Sequence, residues 1–109
     1  MSFGRKGLPP VPALPGELDI SAAAPALRSA REFLRMWSVP GGNVTCLIDP
    51  TRIGSDPAAF GIGLADCVRH AALAYARAYD MDESAALQRI WMGLDAERAS
   101  PTSDIGGVN

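Results

Sequence analysis

A chain of 109 residues with 48% hydrophobic and 20% charged residues has the size and balance of one ordinary globular domain, long enough to bury a core unaided. Net charge is −2 and no stretch concentrates Lys or Arg, which argues against a general nucleic-acid binder, because phosphate neutralisation needs a clustered positive face. Two cysteines do not make a disulfide scaffold, and no apolar run approaches the roughly 20 residues of a membrane span, so a soluble cytoplasmic protein with free thiols is expected.

Residues 1–16 are dominated by Pro and Gly and predict a flexible arm rather than a helix or strand. Its PPVPALP run has a PxxP spacing that a polyproline II helix could present, but short proline-rich tails of this kind are commonly just tails. Residues 17–99 then read as a single α+β domain, and residues 100–109 as a disordered tail. A short edge strand is expected over Glu17–Ile20, followed by a short helix from Ser21 to about Arg31 with Pro25 in its first turn.

Glu32–Val39 and Asn43–Asp49 switch to β-favouring residues on either side of Pro40-Gly41-Gly42, which predicts a hairpin. A two-residue Gly41-Gly42 loop would set Val39 opposite Val44, Trp37 opposite Cys46 and Met36 opposite Leu47. One face would then carry Phe33, Trp37, Val39, Val44, Cys46 and Ile48, and the other Leu34, Met36 and Leu47. A hairpin with one wet face should alternate apolar and polar residues, and this one does not. Helices would then cover one face and the N-terminal segment or a second copy of the chain the other; the preferred expectation is a homodimer that pairs strand edges across a two-fold axis, with Leu34, Met36 and Leu47 at the interface.

Asp56 before Pro57 predicts a helix start: the carboxylate can accept first-turn amides, and proline fits the first helical position. Through Asp80 the helix would present Phe60, Leu64, Cys67, Val68, Ala71, Tyr75 and Ala78 on one face. Gly61 and Gly63 inside it suggest close approach of another backbone, since their spacing and position do not suit a phosphate loop. Asp80-x-x-Glu83 resembles a capping box, opening a last helix from about Asp82 to Ala99. Its stripe is Ala86, Leu87, Ile90, Trp91 and Leu94, with Glu97 and Arg98 solvated. The fold expected is thus α+β: a short helix, a β-hairpin, then two longer helices packed on one face of a small antiparallel sheet.

Asp66, Arg69 and His70 form the most suggestive constellation, because i,i+3 and i,i+4 spacing lets all three meet on one helix face. A carboxylate can orient a histidine for acid–base work, but an exposed ion-pair cluster gives the same pattern. Cys67-x-x-His70 has helical ligand spacing, with Cys46 and Asp66 as further donors, yet it is far less specific than paired Cys-x-x-Cys knuckles. No metal, cofactor or catalytic residue is assigned. Trp37, Tyr75, Tyr79 and Trp91 are read as core or interface anchors. The function expected is a small interaction or structural protein without catalysis; the alternative is a small anionic-ligand-binding module or enzyme that uses Asp66, Arg69 and His70.

Several segments carry a resemblance to a known family. They are Leu34-Arg35-Met36-Trp37 leading to Gly41-Gly42, the run Asp56-Pro57-Ala58-Ala59-Phe60-Gly61, then Leu64-Ala65-Asp66, Arg69-His70, Ala74-Tyr75-Ala76, Asp95-Ala96-Glu97 and Pro101-Thr102. Over roughly residues 17–102 the chain resembles a family of short bacterial proteins catalogued as a domain of unknown function, of the DUF5076 kind. The resemblance implies a shared fold and attaches no activity. Bulky aliphatic residues would be expected where Gly63 and Cys67 stand, a departure that weakens any family-wide role for Cys67.

Overall fold

The computed structural model describes residues 14–102, and the chain divides into two compact units, residues 1–30 and 31–109. Most of the proline-rich arm and residues 103–109 of the tail lie outside the described residues.

In the first unit the described chain turns rather than extends. The Glu17 amide closes onto the Leu14 carbonyl at 3.0 Å, and the Asp19 carboxylate captures the Ser21 amide at 2.9 Å. The expected strand over Glu17–Ile20 does not form, and Leu18 and Ile20 stand exposed. Alternation alone makes no strand when no neighbouring strand supplies the hydrogen bonds. The expected helix shrinks to one 3-10 turn, Ala24–Leu27, whose N-cap Ala23 offers no side-chain acceptor. So short a helix without a cap is marginal by itself.

The second unit begins with the hairpin. Strand β1, Leu34–Ser38, pairs antiparallel with β2, Val44–Ile48. The partners are Leu34↔Ile48, Arg35↔Leu47, Met36↔Cys46, Trp37↔Thr45 and Ser38↔Val44, one residue away from the register expected for a two-residue loop. The turn explains the difference. The Gly42 amide donates to the Val39 carbonyl at 2.9 Å, with Pro40 second and Gly41 third at φ +71°. That is the type II pattern of proline followed by a positive-φ glycine, and it leaves Val39 and Asn43 flanking a three-residue loop. The shift re-sorts the faces. Leu34 and Met36 lie with Cys46 and Ile48, whereas Leu47 lies with Arg35, Trp37 and Thr45. Leu47 therefore does not share a face with Leu34 and Met36, as the sequence reading had it.

Helix α1 spans Pro57–Tyr79, and Asp56 caps it by accepting the Ala58 amide at 3.0 Å. Asp80 ends it in the left-handed region at φ 51°, its amide and that of Met81 both turned back to the Ala76 carbonyl. Helix α2 spans Glu83–Ala99, and its N-cap is Asp82, which accepts the Ala85 amide at 2.9 Å. Asp80 is thus the C-cap of α1 rather than the start of a capping box.

The two helices pack on each other, and Val68, Ala72 and Ala86 are the buried apolar residues among those described. Small side chains at the contact let two helices approach closely. They also remove little apolar area, so the contact cannot carry much stability. The Phe33 ring meets Phe60 of α1 edge-on, with centroids 5.9 Å apart, and joins the base of the hairpin to the first turns of the helix. Among the described residues the architecture is α+β: a two-stranded antiparallel sheet, two short 3-10 turns (Ala24–Leu27 and Pro50–Arg52) and two longer helices packed together.

Candidate functional site

Asp66, Arg69 and His70 do fall on one side of α1, but that side is solvent. All three are exposed. The Arg69 guanidinium approaches the Asp66 carboxylate at a long 3.4 Å, a surface contact of small energetic consequence. The His70 imidazole makes no hydrogen bond to any described residue.

The thiols are similarly separated. Cys46 is half-buried on β2, and Cys67, expected on the apolar face of α1, is exposed. Cys67 lies about 100° around the helix from Val68, and the narrow alanine contact with α2 does not reach it. Among the described residues no three of His, Cys, Asp and Glu converge to hold a metal ion. Tyr75 and Tyr79 stack at 5.8 Å near the end of α1 and remain half or more exposed, while Trp37 and Trp91 are half-buried. Gly61 and Gly63 are not pressed by another described backbone. A Cβ at Gly61 would meet nothing within 4 Å, and one at Gly63 would meet only Ile53 and Phe33 side-chain atoms at 3.7 Å.

A concave feature of the second unit lies elsewhere, where β2 runs into α1. A cleft of about 720 Å³ is lined by Ile48, Pro50, Ile53, Pro57 and Phe60, with Thr51, Ser55 and Asp56 among its polar neighbours. Its walls are braced. Asp49 accepts the Thr51 amide at 3.1 Å and the Thr51 hydroxyl at 2.6 Å, and its second oxygen meets Arg52 Nε at 3.2 Å. Arg52 also donates to the Glu32 carbonyl at 3.0 Å, tying the loop to the start of the hairpin. The Thr51 hydroxyl, with lesser help from the Thr51 amide and the nearby Arg52, holds the Asp49 carboxyl below its ordinary pKa of 3.8. Gly54, at φ +117°, makes the bend between Ile53 and the start of α1, and Ile53 and Phe60 both line the cleft.

The chemistry of this cleft is that of an apolar surface. Two of its residues are prolines without amide hydrogens, and the Asp56 carboxylate sits at the start of α1 where an anion would otherwise be drawn. None of Asp66, Arg69 and His70 lines it. Sequence reading assigned no element to residues 50–55. The available signal was Ile53, an apolar residue isolated among turn-formers and flanked by Pro50 and Pro57.

At the other end of the unit Glu97, expected to be solvated, is half-buried. Its carboxylate receives the Thr102 amide at 2.8 Å and the Thr102 hydroxyl at 2.8 and 2.9 Å. The Thr102 amide, then its hydroxyl, hold the Glu97 carboxyl below its ordinary value.

A β-hairpin braced to an α-helical hairpin, with the chain locked down again at Thr102, defines a small α+β domain. The chain belongs to the family described as Domain of unknown function (DUF5076), whose model matches residues 17–102. A solved structure from the photosynthetic bacterium Rhodopseudomonas palustrus CGA009, described as a "putative pyruvate dehydrogenase", is similar at 30% identity. The match covers 87% of this chain and 95% of that one, with a TM-score of 0.62. No curated protein matches. Among the described residues no helix is long and apolar enough to cross a membrane.

Proposed function

We propose that this chain is a small structural and interaction protein of the bacterial cytoplasm that works as a homodimer joined through its hairpin and performs no catalysis. One observation carries the reading: no described Leu, Ile, Met, Phe, Tyr or Trp is buried, and the buried set is one valine and two alanines. Small domains with so little core are usually completed by disulfides, metals or association. Here the cysteines are free, and Met36, Val39, Val44 and Leu47 of the hairpin are all exposed. Free thiols also suit a reducing compartment, and the similar Rhodopseudomonas protein is bacterial.

The dehydrogenase description of that protein finds little support in this chain. Gly61 and Gly63 lie inside α1 instead of in a loop that could cradle phosphates before a helix. The alternative, a small anionic ligand on Asp66, Arg69 and His70, has weaker support than association, because these groups stand on an open helix face with a carboxylate already beside the arginine. Sedimentation equilibrium tests the reading. A dimer at micromolar concentration, with a melting midpoint that rises with protein concentration, is expected; a monomer at high concentration with a concentration-independent midpoint rejects it.

A further inference from the structure

We infer that β1 is the dimerisation strand and pairs antiparallel with β1 of a second copy about a two-fold axis through Met36. The inference rests on the homodimer reading and adds to it the strand, the register and the contacts.

The hydrogen-bond phase of the hairpin carries the first step. The Asp49 amide donates to the Phe33 carbonyl at 3.0 Å, and those two residues continue the register in which Arg35 opposes Leu47 and Trp37 opposes Thr45. In an antiparallel pair the hydrogen-bonded positions alternate. Phe33, Arg35 and Trp37 thus bond inward to β2, while Leu34, Met36 and Ser38 turn their N–H and C=O groups to the outer edge. Among the described residues no strand pairs with that edge. Met36 is 57% exposed and Ser38 is exposed.

The register follows from which pairing uses that edge best. Met36 is the middle residue of Leu34–Ser38. A two-fold axis there pairs Leu34 with Ser38 of the other copy and Met36 with its own equivalent, so every outward residue of both strands is engaged. A slip in one direction sets Arg35 against its own equivalent, a like-charge pair that is destabilising. A slip in the other carries Leu34 opposite Pro40, which has no N–H to give. The centred register instead sets Arg35 directly opposite Trp37 of the second copy on one face, a cation–π pairing. Arg35 reaches that position with its Nε held at 2.8 Å by Glu32. On the other face the exposed Met36 side chains meet across the axis beside Leu34, so two of the three interface residues expected from sequence are used directly. Leu47 stays one strand further in, beside Arg35.

Cysteine cross-linking in the full chain tests this, in a background carrying Cys46→Ser and Cys67→Ser and checked for native circular dichroism. Equivalent Cα atoms at position 36 would lie about 5.5 Å apart, inside the roughly 7 Å limit for a disulfide. Position 34 would lie about 14 Å from its own equivalent. With copper–phenanthroline, Met36→Cys is expected to cross-link to itself. A mixture of Leu34→Cys and Ser38→Cys chains is expected to cross-link only between the two, and Leu47→Cys not at all. Met36→Pro removes an outward N–H and the Met36 side chain at the axis, leaves the hydrogen bonds to β2 in place, and is expected to weaken dimerisation at least about tenfold. A protein that sediments as a dimer but cross-links at position 47 and not at 36 overturns the β1 register and leaves the homodimer standing. A monomer overturns both.

Discussion

Replacing the two glycines of α1's first turns tests how this helix is loaded. Gly61→Ala and Gly63→Ala should each stabilise the folded chain. Inside a helix alanine is favoured over glycine by about 1 kcal/mol, partly because glycine leaves the unfolded chain more freedom to lose. What could cancel the gain is a steric clash, and the surroundings argue against one. The Cβ at position 63 would rest 3.7 Å from Ile53 Cδ1 and from Phe33 Cζ, which is ordinary contact and adds a little apolar burial. The Cβ at position 61 meets nothing within 4 Å. The two positions have no shared neighbour, so the double variant should gain about 2 kcal/mol. For a domain of this size each kcal/mol is about 4–8 °C in Tm. Urea unfolding followed by circular dichroism gives the comparison. Destabilisation by Gly63→Ala would refute the packing at Phe33 and Ile53. Loss of dimer affinity in Gly61→Ala, with monomer stability unchanged, would place a second copy's backbone on α1 and not only on β1.

Three other substitutions probe separate links. Ala72 is 1% exposed at the helix contact, so Ala72→Leu should overpack it and cost about 1–3 kcal/mol in urea unfolding, whereas the exposed Ala74→Leu should be near neutral. Asp80→Gly should stabilise by about 0.5–1 kcal/mol, since glycine accepts φ 51° freely and the change removes a negative charge from the negative end of α1; an unchanged Tm would refute it. Asp49 has a folded pKa depressed below 3.8, so the stabilisation it brings is present above that value and is lost as pH falls through the folded one. Thr51→Val removes the principal cause, and its stability should depend less on pH between about pH 5 and pH 2 than that of the parent chain; an identical acid limb would count against the Asp49–Thr51 contact.

The helices were legible in the sequence because their ends are written in single residues. Asp56-Pro57 starts α1 where expected, and the start of α2 is displaced by only one residue from expectation. The exception at the junction is informative. Asp80 and Asp82 are both short acidic residues ahead of an apolar periodic stretch, and sequence favours the one with Glu three places on. The structure uses Asp82 because Asp80 is already occupied in ending α1, its amide bonded to Ala76. One residue cannot adopt the left-handed conformation of a C-cap and the extended conformation of an N-cap together.

The hairpin shows a different limit. Its strands, its turn and its apolar excess on both faces were all readable, but the register was not, because Pro-Gly-Gly fits a two-residue or a three-residue loop equally well at the level of composition. One residue of difference reverses which side chains are neighbours, and so Leu34, Met36 and Leu47, expected on one face, are divided between two. The same one-residue shift determines which backbone groups face outward. Had Trp37 opposed Cys46, the pairing would run through the hydrogen-bond phase differently, and the outer edge of β1 would present Arg35 and Trp37 instead of Met36. The turn at Gly41 therefore reaches beyond the hairpin: by its positive φ it selects the register, and the register selects the self-complementary edge that a second copy would meet.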